Sequence, residues 1–365
     1  MKIPFSEVFA DETKNGTKLK TSNYQTSGTH PIIDQGQDFI AGYTDSDNGL
    51  YTDVPAIIFG DHTRVLKYVD FPFFLGADGA KILKARSAHA NYKYLYYALK
   101  SVRIPDTGYN RHFKWLKEAA ISIPGSQKQE SIVFTLDSIS RIISHRKSQL
   151  AKLDELVKCR FVEMFGDPVT NPKKWNVCKL INACTKLTDG THSSPENLPE
   201  GDFKYVTAKN IKRHGFDFSE ITYINEKVHQ GIYSRCNPEY GDVLYIKDGV
   251  TTGIAMVNTL REEFSLLSSV ALLKPCKQKL DSHFLSELLN NDEMYTYMRK
   301  GMGGAAITRL TLKKIGDIQI PLPDLTLQNS FSSFVHRIDK LRFDIQKSLN
   351  ETQKLFDSLM QEYFD

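Results

Sequence analysis

The stretch GMGGAAI, residues 301–307, has glycines spaced as G-x-G-x-x-A, a pattern that can let a backbone approach a pyrophosphate. A dinucleotide cradle needs a strand before that turn. The residues ahead of it read as a helix, so the stretch is expected to be a loop. Asn171-Pro172 begins like the N-P-P-aromatic phrase expected of an adenine methyltransferase, but two lysines follow it. Pro105-Asp106 has no nearby E-x-K, and Asp202-Phe203-Lys204 lies too far along the chain to complete a nuclease site with it. No P-loop, H-E-x-x-H or G-x-S-x-G occurs. The five cysteines (Cys159, Cys178, Cys184, Cys236 and Cys276) are odd in number and form no C-x-x-C pair. They read as reduced thiols rather than a disulfide framework or a zinc knuckle. Neither a catalytic residue nor a metal site is expected.

The 365 residues allow two domains of ordinary size, and 41% hydrophobic with 25% charged residues is the balance of a folded protein. No run approaches eighteen uninterrupted apolar residues, and the opening MKIPFSEVFADETK carries charges throughout. Neither a membrane span nor a secretory signal is expected, and the location is expected to be cytoplasmic. A net charge of +4 is compatible with a polyanionic partner without establishing one.

One phrase is written twice. AISIPGSQKQESI, 120–132, returns as DIQIPLPDLTLQNSF, 317–331, and a shift of 199 places Gln129 on Gln328, Ile139 on Ile338 and Leu150 on Leu349. Steps of four and three then pick out Ile132, Leu136, Ile139, Ile143, Arg146, Leu150, Leu153, Val157, Arg160 and Met164. In the second copy they pick out Phe331, Val335, Ile338, Arg342, Ile345, Leu349, Thr352, Phe356, Leu359 and Tyr363. Eight of ten are apolar in each, which is the narrow seam of a coiled coil rather than the broad stripe of a globular helix. Neither run contains Pro or Gly, and each follows a proline turn that can start a helix. Two helices of about 38 residues, roughly 57 Å each, are predicted. Antiparallel pairing within the chain relates the two halves by a two-fold axis and returns Asp365 to the start of the chain.

The segments before the helices repeat as well. HPIIDQG, VPAIIFGD, RVLKYVDF and GAKILKA read as short strands followed by helical NYKYLYYALKSVR; FKYVTAKNI, DVLYIKDGV, GIAMVN and SSVALLKP are followed by helical DSHFLSELLNNDEMYTYMRK. The tyrosines of NYKYLYYALK fit the buried face of a helix better than a stacking platform. The expected fold is α+β, with two mixed α/β domains separated by two long antiparallel coiled-coil helices in a near-circular repeat. The divisions fall at 1–124, 125–167, 168–323 and 324–365.

The order of these parts, the IP…Q phrase used twice, Trp175, TDGTHSSP at 188–195, YVTAKNI and GDVLYIKDGVTTG together resemble the specificity subunit of type I restriction-modification systems. The resemblance covers essentially the whole chain. It implies a subunit without a catalytic site or a cofactor of its own. Two target-recognition domains would each read half of a bipartite double-stranded DNA sequence. The helices would set the gap and dock two modification subunits. S-adenosylmethionine would then be bound by the modification subunits and ATP by restriction subunits where these join. The first domain departs from the pattern, since it has no clear counterpart of TDGTHSSP and only HPIIDQGQDF in place of YVTAKNI. On this reading, donors and acceptors on loops would meet the DNA. In the first domain these are Gln35, His62, Arg64, Arg111, His112 and Lys114; in the second, His192, Lys209, Asn210, Lys247, Thr251, Thr252 and Arg309. A different class also fits the architecture: a two-headed scaffold whose domains grip proteins.

Overall fold

The computed structural model describes residues 2–76, 78–300 and 309–365, so the glycine stretch 301–307 lies outside the described residues. The chain divides into two compact units, Met1–Lys147 with Lys347–Asp365, and Ser148–Gln346.

In the first unit β1 (Lys2–Pro4), α1 (Phe5–Val8) and β2 (Phe9–Asp11) precede β3 (His30–Ile33), β4 (Gly42–Thr44) and β5 (Ala56–Gly60). Then come β6 (Leu66–Val69), β7 (Phe74–Leu75), β8 (Ala80–Ala85), α2 (Tyr92–Lys100), α3 (Phe113–Lys117), β9 (Ala120–Ser122) and the first part of α4 (Ser126–Phe165). The strands form a four-stranded sheet, β2-β8-β5-β6, and a three-stranded sheet, β4-β3-β7, while β1 pairs with β9. The run AIIFG of β5 is buried at every residue because its sheet is covered on both faces. Ile57 and Phe59 point into a core shared with α2 and α4, whereas Ala56 and Ile58 point into one shared with Ile33, Phe73 and Leu75. The larger of these side chains, Ile57, Ile58 and Phe59, each contribute about 1.5–3 kcal/mol when fully buried. Tyr94, Leu95, Tyr97, Ala98 and Leu99 of α2 are core residues, as the helical spacing predicts.

The second unit repeats this order. It holds β10 (Val177–Lys179), α5 (Leu180–Ala183), β11 (Cys184–Asp189), β12 (Phe203–Val206), β13 (Ile211–Lys212), β14 (Gly215–Phe216), β15 (Thr222–Ile224) and α6 (Glu226–Tyr233). After these come β16 (Val243–Ile246), β17 (Ala255–Val257), β18 (Phe264–Leu266), β19 (Val270–Pro275), α7 (Ser282–Asn290), α8 (Asp292–Arg299), α9 (Leu312–Gly316), β20 (Gln319–Pro321) and the first part of α10 (Leu325–Phe364). Its sheets run β11-β19-β16-β17 and β15-β12-β18, with β10 paired to β20. These three sheets repeat the strand orders of the first unit, and the second unit adds a hairpin, β13-β14, that the first does not have. One expected helix is split: Asn291 takes an extended conformation between α7 and α8, and its side chain accepts hydrogen bonds from the Glu293 and Met294 amides, capping the second piece.

Both long helices have 40 residues. All twenty seam positions named above are buried or half-buried. Within the first unit Ile132, Leu136 and Ile139 of α4 share a core with Phe356 of α10; within the second, Val157, Phe161 and Phe165 share one with Phe331, Val335 and Ile338. Early residues of one helix meet late residues of the other, so the pair is antiparallel. The polar seam residue Arg342 finds its partner in this arrangement, donating to Asp154 Oδ1 at 2.7 Å. The repeated glutamine is explained too. Gln129 Nε2 donates to Pro124 O and Gln328 Nε2 to Pro323 O, both at 2.8 Å, so each ties its helix start back to the proline turn.

Candidate nucleic-acid interface

In the second unit the candidate residues stand on four loops that backbone hydrogen bonds draw together. The Ser268 amide donates to Thr191 O at 2.9 Å, and the Lys247 amide to Ser269 O at 2.9 Å. The Leu310 amide donates to Lys247 O at 2.7 Å. The Ala208 amide reaches Ser269 Oγ at 3.3 Å. TDGTH, the turn after β12, the β16–β17 turn and Arg309 therefore line one edge, centred on the link between β18 and β19. Gly190 is required there, because a Cβ on it would lie 1.9 Å from Leu266 O.

His192, Lys209, Thr251 and Arg309 are exposed on this edge. Arg309 Nε lies 3.5 Å from Asp248 on the β16–β17 turn. Lys247 is different. Its ammonium is buried 3.2 Å from the buried Asp189 carboxylate, which also meets Arg235 at 3.3 Å and His192 at 3.3 Å. Arg235 Nη2 donates to Gly190 O at 2.5 Å.

The first unit builds the same edge from other residues. The Asp61 amide donates to Gly79 O at 2.6 Å, as that of Lys247 does to Ser269 O, and the His112 amide donates to Asp61 O at 2.7 Å, as that of Leu310 does to Lys247 O. Arg111 and Arg309 thereby occupy equivalent places, each one residue before the amide that closes the edge. Gln35 belongs to the frame: its Nε2 donates to Asp78 O at 2.9 Å and its Oε1 accepts the His62 amide at 3.2 Å. The His62 ring stacks on Tyr109 with centroids 4.7 Å apart. Lys114 is exposed and lies over the Trp115 ring at 4.1 Å. Arg64 pairs with Asp106 at 2.8 Å. The Gly108 amide and then Arg64 hold the Asp106 carboxyl below its usual range. Lys18, with a smaller contribution from Arg111, does the same for Asp78.

Four of the proposed DNA-facing residues are not surface groups. His112, Asn210, Lys247 and Thr252 are buried, and each is engaged within its unit. His112 Nδ1 faces Asp61 O at 3.0 Å. Asn210 closes the turn after β12 by accepting the Thr207 amide at 3.0 Å, and Thr252 Oγ1 donates to Gly249 O at 2.7 Å. Together with Gln35 they shape the edge rather than present groups from it. Sequence reading missed Arg235, which carries no local motif, and Asp189, which lies inside the TDGTH phrase.

Burial pushes the thiols of Cys184 and Cys236 up to about 12, far from a nucleophile's range. Among the described residues no group of three or more His, Cys, Asp or Glu could hold a metal ion. Among them, too, no helix is long and apolar enough to cross a membrane.

Comparison with known proteins agrees with this geometry. Residues 3–154 and 172–354 match the family described as type I restriction modification DNA specificity domain. The specificity subunit of the type I restriction enzyme EcoR124I/EcoR124II of Escherichia coli is 21% identical over 375 residues, a match covering 100% of this chain and 92% of that protein. The S subunit of a type I restriction-modification system from M. genitalium has a similar fold, with a TM-score of 0.61 and 19% identity over 100% of this chain and 96% of that one. A chain from a structure of the type I R-M system aligns with a TM-score of 0.50 and 16% identity, over 100% and 97% of the two chains.

Proposed function

Because the chain belongs to the type I restriction modification DNA specificity domain family, we propose that it reads a split DNA sequence for a type I restriction-modification complex. One recognition domain, 1–124, takes one half-site and the other, 168–323, takes the second. The helical segments 125–167 and 324–365 set the unread gap and dock two modification subunits. Recognition is this chain's part and catalysis belongs to its partners. The modification subunits bind S-adenosylmethionine, and restriction subunits, where they join, bind ATP. All of this takes place in the cytoplasm.

The observation that carries this reading is the duplicated edge. Two units with the same main sheets each draw separate loops onto one line and expose cationic side chains there, joined by the Thr251 hydroxyl in the second unit, which is what readout from a stiff frame requires. Arg111, Lys114, His192, Lys209, Thr251 and Arg309 are the proposed contacts, with His62 and Arg64 beside them. A half-site of three or four base pairs gives too little discrimination alone, at about 1–3 kcal/mol for each good bidentate contact. Linking two half-sites makes the second contact intramolecular.

Methylome sequencing of a host carrying this chain with its modification partner tests the proposal. The expected result is one motif of two short halves separated by a fixed unread interval. A contiguous motif, or methylation without sequence preference, would overturn it.

A further inference from the structure

Among the described residues the two most exposed large hydrophobic side chains are Val250, 94% exposed, and Tyr109, 87% exposed. They are the most exposed in their respective units, and both stand on the edge proposed to face DNA. Val250 caps the β16–β17 turn, and Tyr109 stacks on His62 of the β5–β6 turn. A single exposed apolar residue is ordinary on a protein surface; what sets Val250 apart is its place at the tip of a braced turn on an edge otherwise furnished with Lys, Arg and Thr.

The Val250 turn is built to hold that residue outward. Gly249 and Gly253 bracket it at φ +103° and +108°, conformations in which any other residue is strained. The turn's base is tied down. Thr252 is fully buried with its hydroxyl on Gly249 O, and Arg299 Nη1 donates to Thr252 O at 2.9 Å. The ring of Tyr295 packs so closely on Gly253 that a Cβ there would lie 2.6 Å from it. Lys247 is pinned on both sides by backbone hydrogen bonds, to Ser269 O and from Leu310. Only the tip, with Val250 and Thr251, is exposed.

Resting on the DNA-reading function above, we infer that Val250 is a specificity-determining residue that packs on the 5-methyl group of a thymine in the half-site of the second unit. The major groove offers one apolar feature, the thymine methyl, and an apolar side chain is the group that recognises it. Arg309, held beside the same turn by Asp248, would fix the turn's register against a neighbouring base or phosphate.

The test uses the complete complex with its modification subunits and a duplex bearing the methylome-defined site. Each thymine of the half-sites is replaced in turn by uracil, which deletes the methyl and leaves the pairing edge intact. One replacement is expected to weaken binding by the wild-type complex about four-fold, the equivalent of ~0.8 kcal/mol for one methyl group. The same replacement should leave a Val250→Ser complex unaffected. Because Val250 is exposed, that variant should keep the wild-type melting temperature and its modification subunits. The inference falls if the half-site read by the second unit lacks thymine, or if uracil affects both complexes equally. It also falls if Val250→Ser loses its modification subunits, which would make the valine a protein contact. Failure of the wild-type complex to prefer any sequence would overturn the DNA-reading function itself, a result distinct from these.

Discussion

Lys247 shows how a residue can lie at the right place for the wrong reason. Its glycine-flanked turn does stand on the candidate edge, but the side chain is 3% exposed and faces an Asp189 carboxylate that is 4% exposed. Removing one member of a buried pair leaves the other charged and enclosed, at a cost of about 3–5 kcal/mol. Lys247→Met is therefore expected to fall near the lower end of that range in denaturant unfolding, because Arg235 and His192 still face Asp189. Lys209, 83% exposed, should behave oppositely. Lys209→Ala is expected to change stability by less than about 0.5 kcal/mol while lowering the slope of log K against log salt by about 1. If Lys247→Met unfolds like the wild type yet loses DNA binding, the lysine is a contact after all. Loop position was legible in the sequence because glycines and turn residues announce it. Which loop residues turn inward was not, because Lys247 finds Asp189, and His112 finds Asp61, only after distant strands have paired.

The two helices were the most legible elements. A four-three spacing sustained over ten positions can be satisfied only by one long helix with a partner, and the Pro-Gln phrase marks where each begins. Of the short strands, β3, β5, β6, β8, β12, β16, β17 and β19 were legible as β-rich runs between turn residues, whereas β2, β4, β7, β11, β15 and β18 were not. Their pairing order, the α6 helix and the β13–β14 hairpin were not, because segments of two to eight residues carry too few periods to declare a face. The seam makes a paired prediction on α10. Leu349 is 8% exposed and Leu341 is 51% exposed. Leu349→Glu puts an unpaired carboxylate against the partner helix, and a loss above 2 kcal/mol is expected, by the mechanisms that produce large mutational effects (roughly 2–4 kcal/mol). Leu341→Glu should stay within about 0.5 kcal/mol of the wild type. Thermal melts that reverse this order would refute the seam's register.

At the scale of the whole molecule, the proposed division of labour separates which bases are read from how far apart they lie. The proposed reading groups stand on loops of the two units, whereas α4 and α10 are each continuous through residues of both. Lengthening the helices should therefore alter the gap alone. Seven residues inserted after Lys147 and seven after Gln346 keep the seam in phase, because seven is its repeat. They add about 10 Å of helix, which is at most about 3 base pairs at 3.4 Å per pair. The expected methylome keeps both half-sites and widens the interval between them. Insertion into α4 alone leaves α10 too short to stay in register and should abolish methylation. Half-sites that change while the interval stays fixed would mean that the helices take part in reading bases, and the assignment of spacing to them would have to be given up.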